Sequence, residues 1–304
     1  MDTHEHAADG KLVTWVLAPR SDPATLDFMC ACETFRRHAI VAETGIGKKP
    51  ELREVTGYGI ASVFTLPSNR GKGYARHMMC LLHWVLAPRS VLPFEFPATW
   101  GAPPDREIAA RRGMGVAQFS VLYSDVGPDF YRACGPERDS RTGGRTSFTF
   151  LPDKGVGAFV VQRTMSFTPN LEPVLPSNTW GVLLLPAGAS DLGAALAETS
   201  LHGLPSFVAW TLDLRTSPRT LVVTRLRANT STLPRLLNLM KDAARKADVE
   251  KIEIWYLPDK LQAVANEQGW KTAERLEHLS AVKWYGRKSE ADIDWVFNEK
   301  FCWC

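Results

Sequence analysis

Long hydrophobic runs are missing from this 304-residue sequence. No stretch approaches the ~18 apolar residues of a membrane-crossing helix, and the most apolar patch, Trp180 to Leu185, stops at Pro186. A strong charge of one sign is missing too. Lysine and arginine total 36 against 33 aspartates and glutamates, leaving +3, which is not the footprint of a general nucleic-acid binder. Cysteine is scarce: Cys30 and Cys32, Cys302 and Cys304, and the singletons Cys80 and Cys134 make no disulfide framework, and the terminal pair Cys302 and Cys304 admits a prenylation tail or half a zinc site as alternatives to a docked tail. Reduced thiols and no metal are expected, with Cys302 and Cys304 in a tail docked through Phe301 and Trp303. The first ten residues lack the basic and apolar regions of a signal peptide. The expectation is a soluble, cytoplasmic protein with no membrane or nucleic-acid partner. What is present is an ordinary globular composition, 45% apolar and 23% charged. That is enough for a sizeable core in one large domain or two ordinary ones.

Strand and helix signals alternate along the chain, which favours an α/β (α+β) architecture. Lys11–Ala18, Tyr58–Thr65 and Gln118–Tyr123 read as strands. Asp22–Arg37 reads as a helix, with Leu26, Met29, Cys30 and Phe35 as its stripe and Asp22-Pro23 as its start. Tyr74–Leu86 reads as a strongly apolar helix ended by Ala87-Pro88, and Pro128–Cys134 as a short one. Between them, residues 88–117 are rich in proline and arginine and read as a surface insertion or lid. After residue 150, strands are expected near Trp180–Leu185, Ser206–Leu212, Leu221–Leu226, Lys251–Tyr256 and Leu276–Trp284. Helices are expected at Asp191–Leu201, Leu233–Ala247 and Asp259–Gln268. The order of elements in the second half echoes that of the first.

The most informative stretch runs from Ser62 to Ala75. A strand enters a turn holding Gly71 and Gly73, and a helix begins at once. Such a turn presents backbone N–H groups at the positive end of a helix dipole, an anion site suited to a pyrophosphate. The two glycines let the main chain approach phosphate without a Cβ in the way, and Arg70 and Lys72 add charge at the rim. The spacing is not that of a Walker loop, and the third glycine of a dinucleotide fingerprint is absent. His77 and His83 on the following helix are six residues apart, on different faces, and read as packing or surface histidines.

Arg70-x-x-Gly73-x-Ala75, inside the word R-G-K-G-Y-A, resembles the acetyl-coenzyme A motif of the GNAT acetyltransferases. That resemblance implies a cofactor-binding segment of Val63, Phe64 and Thr65, whose backbone would hold the thioester carbonyl. It continues through Arg70, Gly71, Lys72, Gly73, Tyr74 and Ala75, which would hold the pyrophosphate. In that family a tyrosine on a short helix after the next strand protonates the departing thiolate. Here Phe130-Tyr131-x-x-x-Gly135 matches it, and a phenol suits the task. The residues do not name the base that takes the amine proton. Asp125, in the loop that aims Tyr131, ranks first, and Glu51 and Glu54 stand before the Tyr58 strand. Asp125 reads equally as a turn carboxylate.

Over roughly residues 10–304 the sequence is similar to a fungal lysine N-acetyltransferase-like branch of the family. The words that carry this are Ala61-Ser-Val-Phe-Thr65, His77-Met-Met, the run Gln118 to Tyr131, and Trp295 to Trp303. The resemblance implies a GNAT fold, a mixed and mostly antiparallel sheet flanked by helices. It also implies two domains: 1–150 binding acetyl-CoA as co-substrate, and 151–304 as a degenerate GNAT-like domain forming part of the substrate pocket. The second half's turn, Arg227 to Pro234, has no glycine and is not expected to hold coenzyme A. The implied activity is transfer of an acetyl group to a small-molecule amine, the side-chain amine of free lysine or a related metabolite, with Tyr131 as general acid. A protein or peptide N-acetyltransferase using Arg89, Arg106, Arg111 and Arg112 of the insertion as an acidic-peptide groove is an alternative. A non-catalytic acetyl-CoA-binding protein is another. The sequence leaves the oligomeric state open.

Overall fold

The computed structural model of the chain describes residues 7–43, 49–137, 149–150, 159–160, 179–186, 204–215, 217–273, 278–286, 288 and 292–300. Its principal elements, in chain order, begin with β1 (Leu12–Leu17), β2 (Cys30–Glu43), β3 (Glu51–Phe64), α1 (Tyr74–Leu86), α2 (Arg106–Arg111), β4 (Phe119–Ser124) and α3 (Pro128–Arg132). They continue with β5 (Thr149–Phe150), β6 (Phe159–Val160), β7 (Gly181–Leu184), β8 (Ser206–Asp213), β9 (Thr220–Arg227) and α4 (Leu233–Lys246). The last are β10 (Lys251–Ile254), α5 (Asp259–Glu267) and β11 (Leu279–Trp284). Among the described residues no helix is long and apolar enough to cross a membrane.

Two compact units emerge, one of Met1–Thr164, Arg275–Phe297 and Trp303–Cys304, the other of Met165–Glu274 and Asn298–Cys302. The first holds a seven-stranded sheet of order β1-β2-β3-β4-β11-β5, with β6 added to β2. Only β3 and β4 run parallel; the other neighbours are antiparallel. β4 reads Phe-Ser-Val-Leu-Tyr-Ser and is buried along almost its whole length, as a strand covered on both faces must be. α1 lays Met78, Met79, Leu82 and Leu86 into a core shared with Cys30, Cys32, Tyr58, Ile60 and Leu122.

Two expectations need correction. Asp22–Arg37 is not a helix: Leu26 is 94% exposed, and the chain enters β2 at Cys30. Cys30, Cys32 and Thr34 point inward at a period of two, and ladders to β1 on one side and β3 on the other decide the conformation over the local stripe. The boundary at 150/151 also gives way. β11 lies late in the sequence yet pairs with β4 over six residues, from Leu279↔Ser124 to Trp284↔Phe119. Phe119 is then boxed by Trp284, stacked at 6.4 Å, and by Trp295, edge-on at 5.6 Å. A central apolar strand needs a neighbour on each side, and here the second comes from more than 150 residues away.

The second unit has a four-stranded sheet of order β10-β9-β8-β7, with β9 and β10 parallel. α4 buries Leu233, Leu236, Leu237, Met240 and Ala244 against Val208, Trp210, Leu221 and Val223. Glu299 ion-pairs with Arg225 and accepts the Leu226 amide at 3.1 Å, which ties residues 298–300 to β9. Each unit thus contains a strand, a turn, a helix and a parallel strand: β3–α1–β4 in one, β9–α4–β10 in the other. The expected helix at Asp191–Leu201 and the tail cysteines lie outside the described residues.

Candidate active site

β3 and β4 pair from Gly57↔Phe119 to Ile60↔Leu122 and no further. Beyond that point β3 runs on to Phe64 and β4 to Ser124 with no register between them. On the other edge of β3 the register with β2 slips: Glu33 faces Ala61, but Ala31 faces Phe64, so Ser62 and Val63 together oppose Cys32. Ser62 sits at φ 54, and its hydroxyl donates to Glu33 Oε2 at 2.8 Å. This is a β-bulge, which breaks the ladder and re-aims the main chain. It opens into Val63–Thr65, the segment to which the resemblance assigns the thioester carbonyl. Val63 is half-buried, Phe64 is exposed at 45%, and the Thr65 hydroxyl donates to Cys30 Sγ at 3.5 Å.

From Thr65 the chain makes one 3-10 turn, Pro67–Asn69, and reaches the glycines. Gly71 and Gly73 take φ of 75° and 81°, the left-handed region closed to most side chains. A Cβ built on either would meet nothing within 4 Å. Residues 70 to 73 are exposed, while Tyr74 and Ala75 are half-buried. Gly73 is the N-cap of α1, and no side chain caps the helix. The first turn of a 13-residue helix therefore faces an open, Cβ-free approach, the geometry that suits a pyrophosphate. Arg70 Nε donates to the Thr65 carbonyl at 3.3 Å, and Lys72 Nζ to Asn69 Oδ1 at 3.2 Å, so both cations are held at the rim.

Tyr131 lies on α3, 7% exposed, in the same core as Cys30, Cys32 and Cys134. Burial first, then the Cys134 and Cys32 thiols and the Asp125 carboxylate, push its phenol above the usual value. The hydroxyl keeps its proton at neutral pH. What holds α3 was not read from the sequence. Arg76 Nε donates to the Ala133 carbonyl at 3.1 Å, and His83 Nε2 bonds the Cys134 carbonyl at 2.8 Å. These two side chains are seven residues apart on one face of α1, and Trp84 Nε1 adds a third bond to the Pro136 carbonyl at 3.0 Å. A carbonyl accepts, so His83 Nε2 carries the proton and Nδ1 accepts from the Tyr285 hydroxyl at 2.7 Å. Tyr285 in turn meets Ser120 at 3.1 Å. Burial holds His83 neutral, down to about 3. The spacing of seven between Arg76 and His83 on an apolar helix is the sequence signal for this pair; His83 is a buried packing histidine, and His77 packs edge-on against Trp100 at 5.4 Å.

Asp125 follows β4 directly, at the same sheet end as the bulge; its Oδ1 accepts the His278 backbone amide at 2.8 Å and lies 2.9 Å from the ring Nδ1. His278 had no sequence signal. Glu51 and Glu54 do not belong to this end: they pair with Glu43 and Ile40, eight or more residues up β3 from Ser62, roughly 26 Å or more at strand rise. The insertion packs on α1 through Phe96 on Trp84 at 4.9 Å and Trp100 on His77. Arg89 bonds the Pro93 and Phe94 carbonyls, and Arg106 the Trp84 and Ala87 carbonyls. Two of the four arginines considered for an acidic-peptide groove are thus engaged with the chain itself. Among the described residues no cluster of three His, Cys, Asp or Glu is placed to hold a metal. Cys30, Cys32, Cys80 and Cys134 are free thiols.

The mixed sheets flanked by helices place the protein in the α+β class. The family model described as the LYC1 GNAT-like C-terminal domain matches residues 136–304, more than half of the chain, and the chain belongs to that family, a branch of the GNAT superfamily. No curated protein matches it. The GNAT superfamily is one of acetyl-CoA-dependent acetyltransferases, and the GNAT-like domain points to that activity here.

Proposed function

We propose that the chain moves an acetyl group from acetyl-CoA to the amine of a small molecule, with the side-chain amine of free lysine as the first candidate. The observation that carries this reading is the uncapped, glycine-built start of α1 immediately after a bulged strand that parts from its parallel neighbour. Amides of Gly71 to Ala75 would take the pyrophosphate, with Arg70 and Lys72 beside it. The bulged main chain from Val63 to Thr65 would hold the thioester oxygen as charge builds on it. Tyr131 would give its proton to the departing thiolate.

The test is direct. The purified chain is mixed with acetyl-CoA and a panel of free amines, and thiol release is followed together with the mass of the product. Turnover is expected with lysine or a close relative. Tight acetyl-CoA binding without turnover on any amine or peptide would leave a binding protein instead, and turnover on peptides alone would move the substrate to protein.

A further inference from the structure

We propose that His278 is the base that takes the amine's proton, with Asp125 as the residue that positions it. This deepens the acyl-transfer reading above and rests on it. β4 and β11 pair antiparallel up to Ser124↔Leu279, so the next residue on each strand, Asp125 and His278, meets just past the ladder's end. The site's remaining pieces gather at that end, where β3 and β4 part and the Ser62 bulge begins. Asp125 Oδ1 accepts the His278 amide at 2.8 Å, and the ring Nδ1 stands 2.9 Å from the same oxygen.

A carboxylate only accepts, so Nδ1 must carry the ring proton and Nε2 of the neutral ring is the basic nitrogen. The arrangement orients an imidazole as the carboxylate of a catalytic triad does. His278 sits at φ 52, a left-handed conformation that histidine adopts more often than most side chains, with its amide on the Asp125 carboxylate. The ring is 35% exposed, open enough to pass a proton to water. Asp125 lies in the loop that leads from β4 into α3 and Tyr131, so acid, carboxylate and imidazole belong to one end of the sheet.

The step balances. The substrate ammonium gives one proton to Nε2, and the freed lone pair forms the C–N bond to the thioester carbonyl carbon. The C–S bond breaks, and the thiolate takes the Tyr131 proton. The surplus proton on the new amide nitrogen returns to the phenolate, and the imidazolium releases its own to solvent.

Two variants separate chemistry from architecture. His278→Ala removes the ring, whereas His278→Asn tolerates the left-handed backbone and still offers Asp125 a donor but cannot take up a proton. Both are expected to lower kcat by about 10²–10³ with KM for the amine and acetyl-CoA affinity within about threefold of the parent. The histidine 15N spectrum of the parent chain is expected to show the Nδ1–H tautomer at His278. Recovery of parental turnover in His278→Asn, or undiminished turnover in both variants, would reduce the pair to a structural tie and overturn the proposal, as would an Nε2–H tautomer. These outcomes leave the acyl-transfer reading standing. A parent chain that binds acetyl-CoA and acetylates no amine brings down that reading, and the base with it.

Discussion

The two strand–turn–helix junctions of this chain share a topology and differ in where their amides go. After β3 the turn contains Gly71 and Gly73 in left-handed conformations, and α1 starts uncapped by any side chain. After β9 the turn closes on itself. Asn229 Oδ1 accepts the Ser231 amide at 3.0 Å and the Thr232 amide at 2.9 Å, while Thr232 Oγ1 accepts the Asn229 amide at 3.0 Å. The Leu233 amide bonds the Asn229 carbonyl at 3.0 Å, and Pro234 has no amide to offer. Neither helix is capped by a side chain; the difference is that the Asn229 turn uses its amides within itself while the glycine turn leaves its approach open. The inner faces of the helices differ as well. α4 buries leucines, a methionine and an alanine, whereas α1 buries His83 among its apolar residues and uses it, with Arg76, to hold the end of α3. The proposed anion site and proton donor would need such fixed polar geometry, whereas the buried face of α4 is held by packing.

Charging the open turn should break this contrast most severely. Gly73→Asp places a carboxylate, and a Cβ at φ 81, where phosphate would sit. Acetyl-CoA affinity measured by calorimetry should fall by about 10³ or more, while Thr230→Asp in the closed turn leaves it unchanged. Acid comes next. His83 is neutral in the fold, down to about 3 against an unfolded value of about 6.5. The unfolded chain therefore binds the extra proton, so stability is intact above about pH 6.5 and drains away as pH falls toward 3, by on the order of 4 kcal/mol. Hydrogen exchange resolved by unit should show the first unit loosening over that window, and His83→Gln should flatten the dependence while lowering stability at neutral pH. Tyr131→Phe should then reduce kcat by about 10² with acetyl-CoA affinity nearly unchanged; equal rates would assign the tyrosine to packing. The smallest effect belongs to the closed turn: Asn229→Ala should cost the second unit about 1 kcal/mol in urea unfolding without altering coenzyme binding.

Much of the site was legible because its signals are local. Gly71, Gly73 and the apolar helix behind them fix a strand-to-helix turn within fifteen residues, and α1 runs from Tyr74 to Leu86 as its pattern requires. Phe130 and Tyr131 fall on a short helix for the same kind of reason, with Pro128 to start it and Gly135-Pro136 after it. The illegible parts are those set by distant partners. Asp22–Arg37 reads as a helix until two neighbouring strands claim its second half, from Cys30 onward. His278 carries no motif at all, and it matters only because β11 returns to β4.

Sequence alone therefore determined the turn, the helix that follows it and the tyrosine's place, since backbone sterics and short-range periodicity act between residues close along the chain. Tertiary structure decided which strand covers β4, where β3 and β4 part, and which carboxylate meets which imidazole. Strand pairing joins residues with no local mark of their partners, and a central strand's conformation follows from the ladders that neighbours offer it.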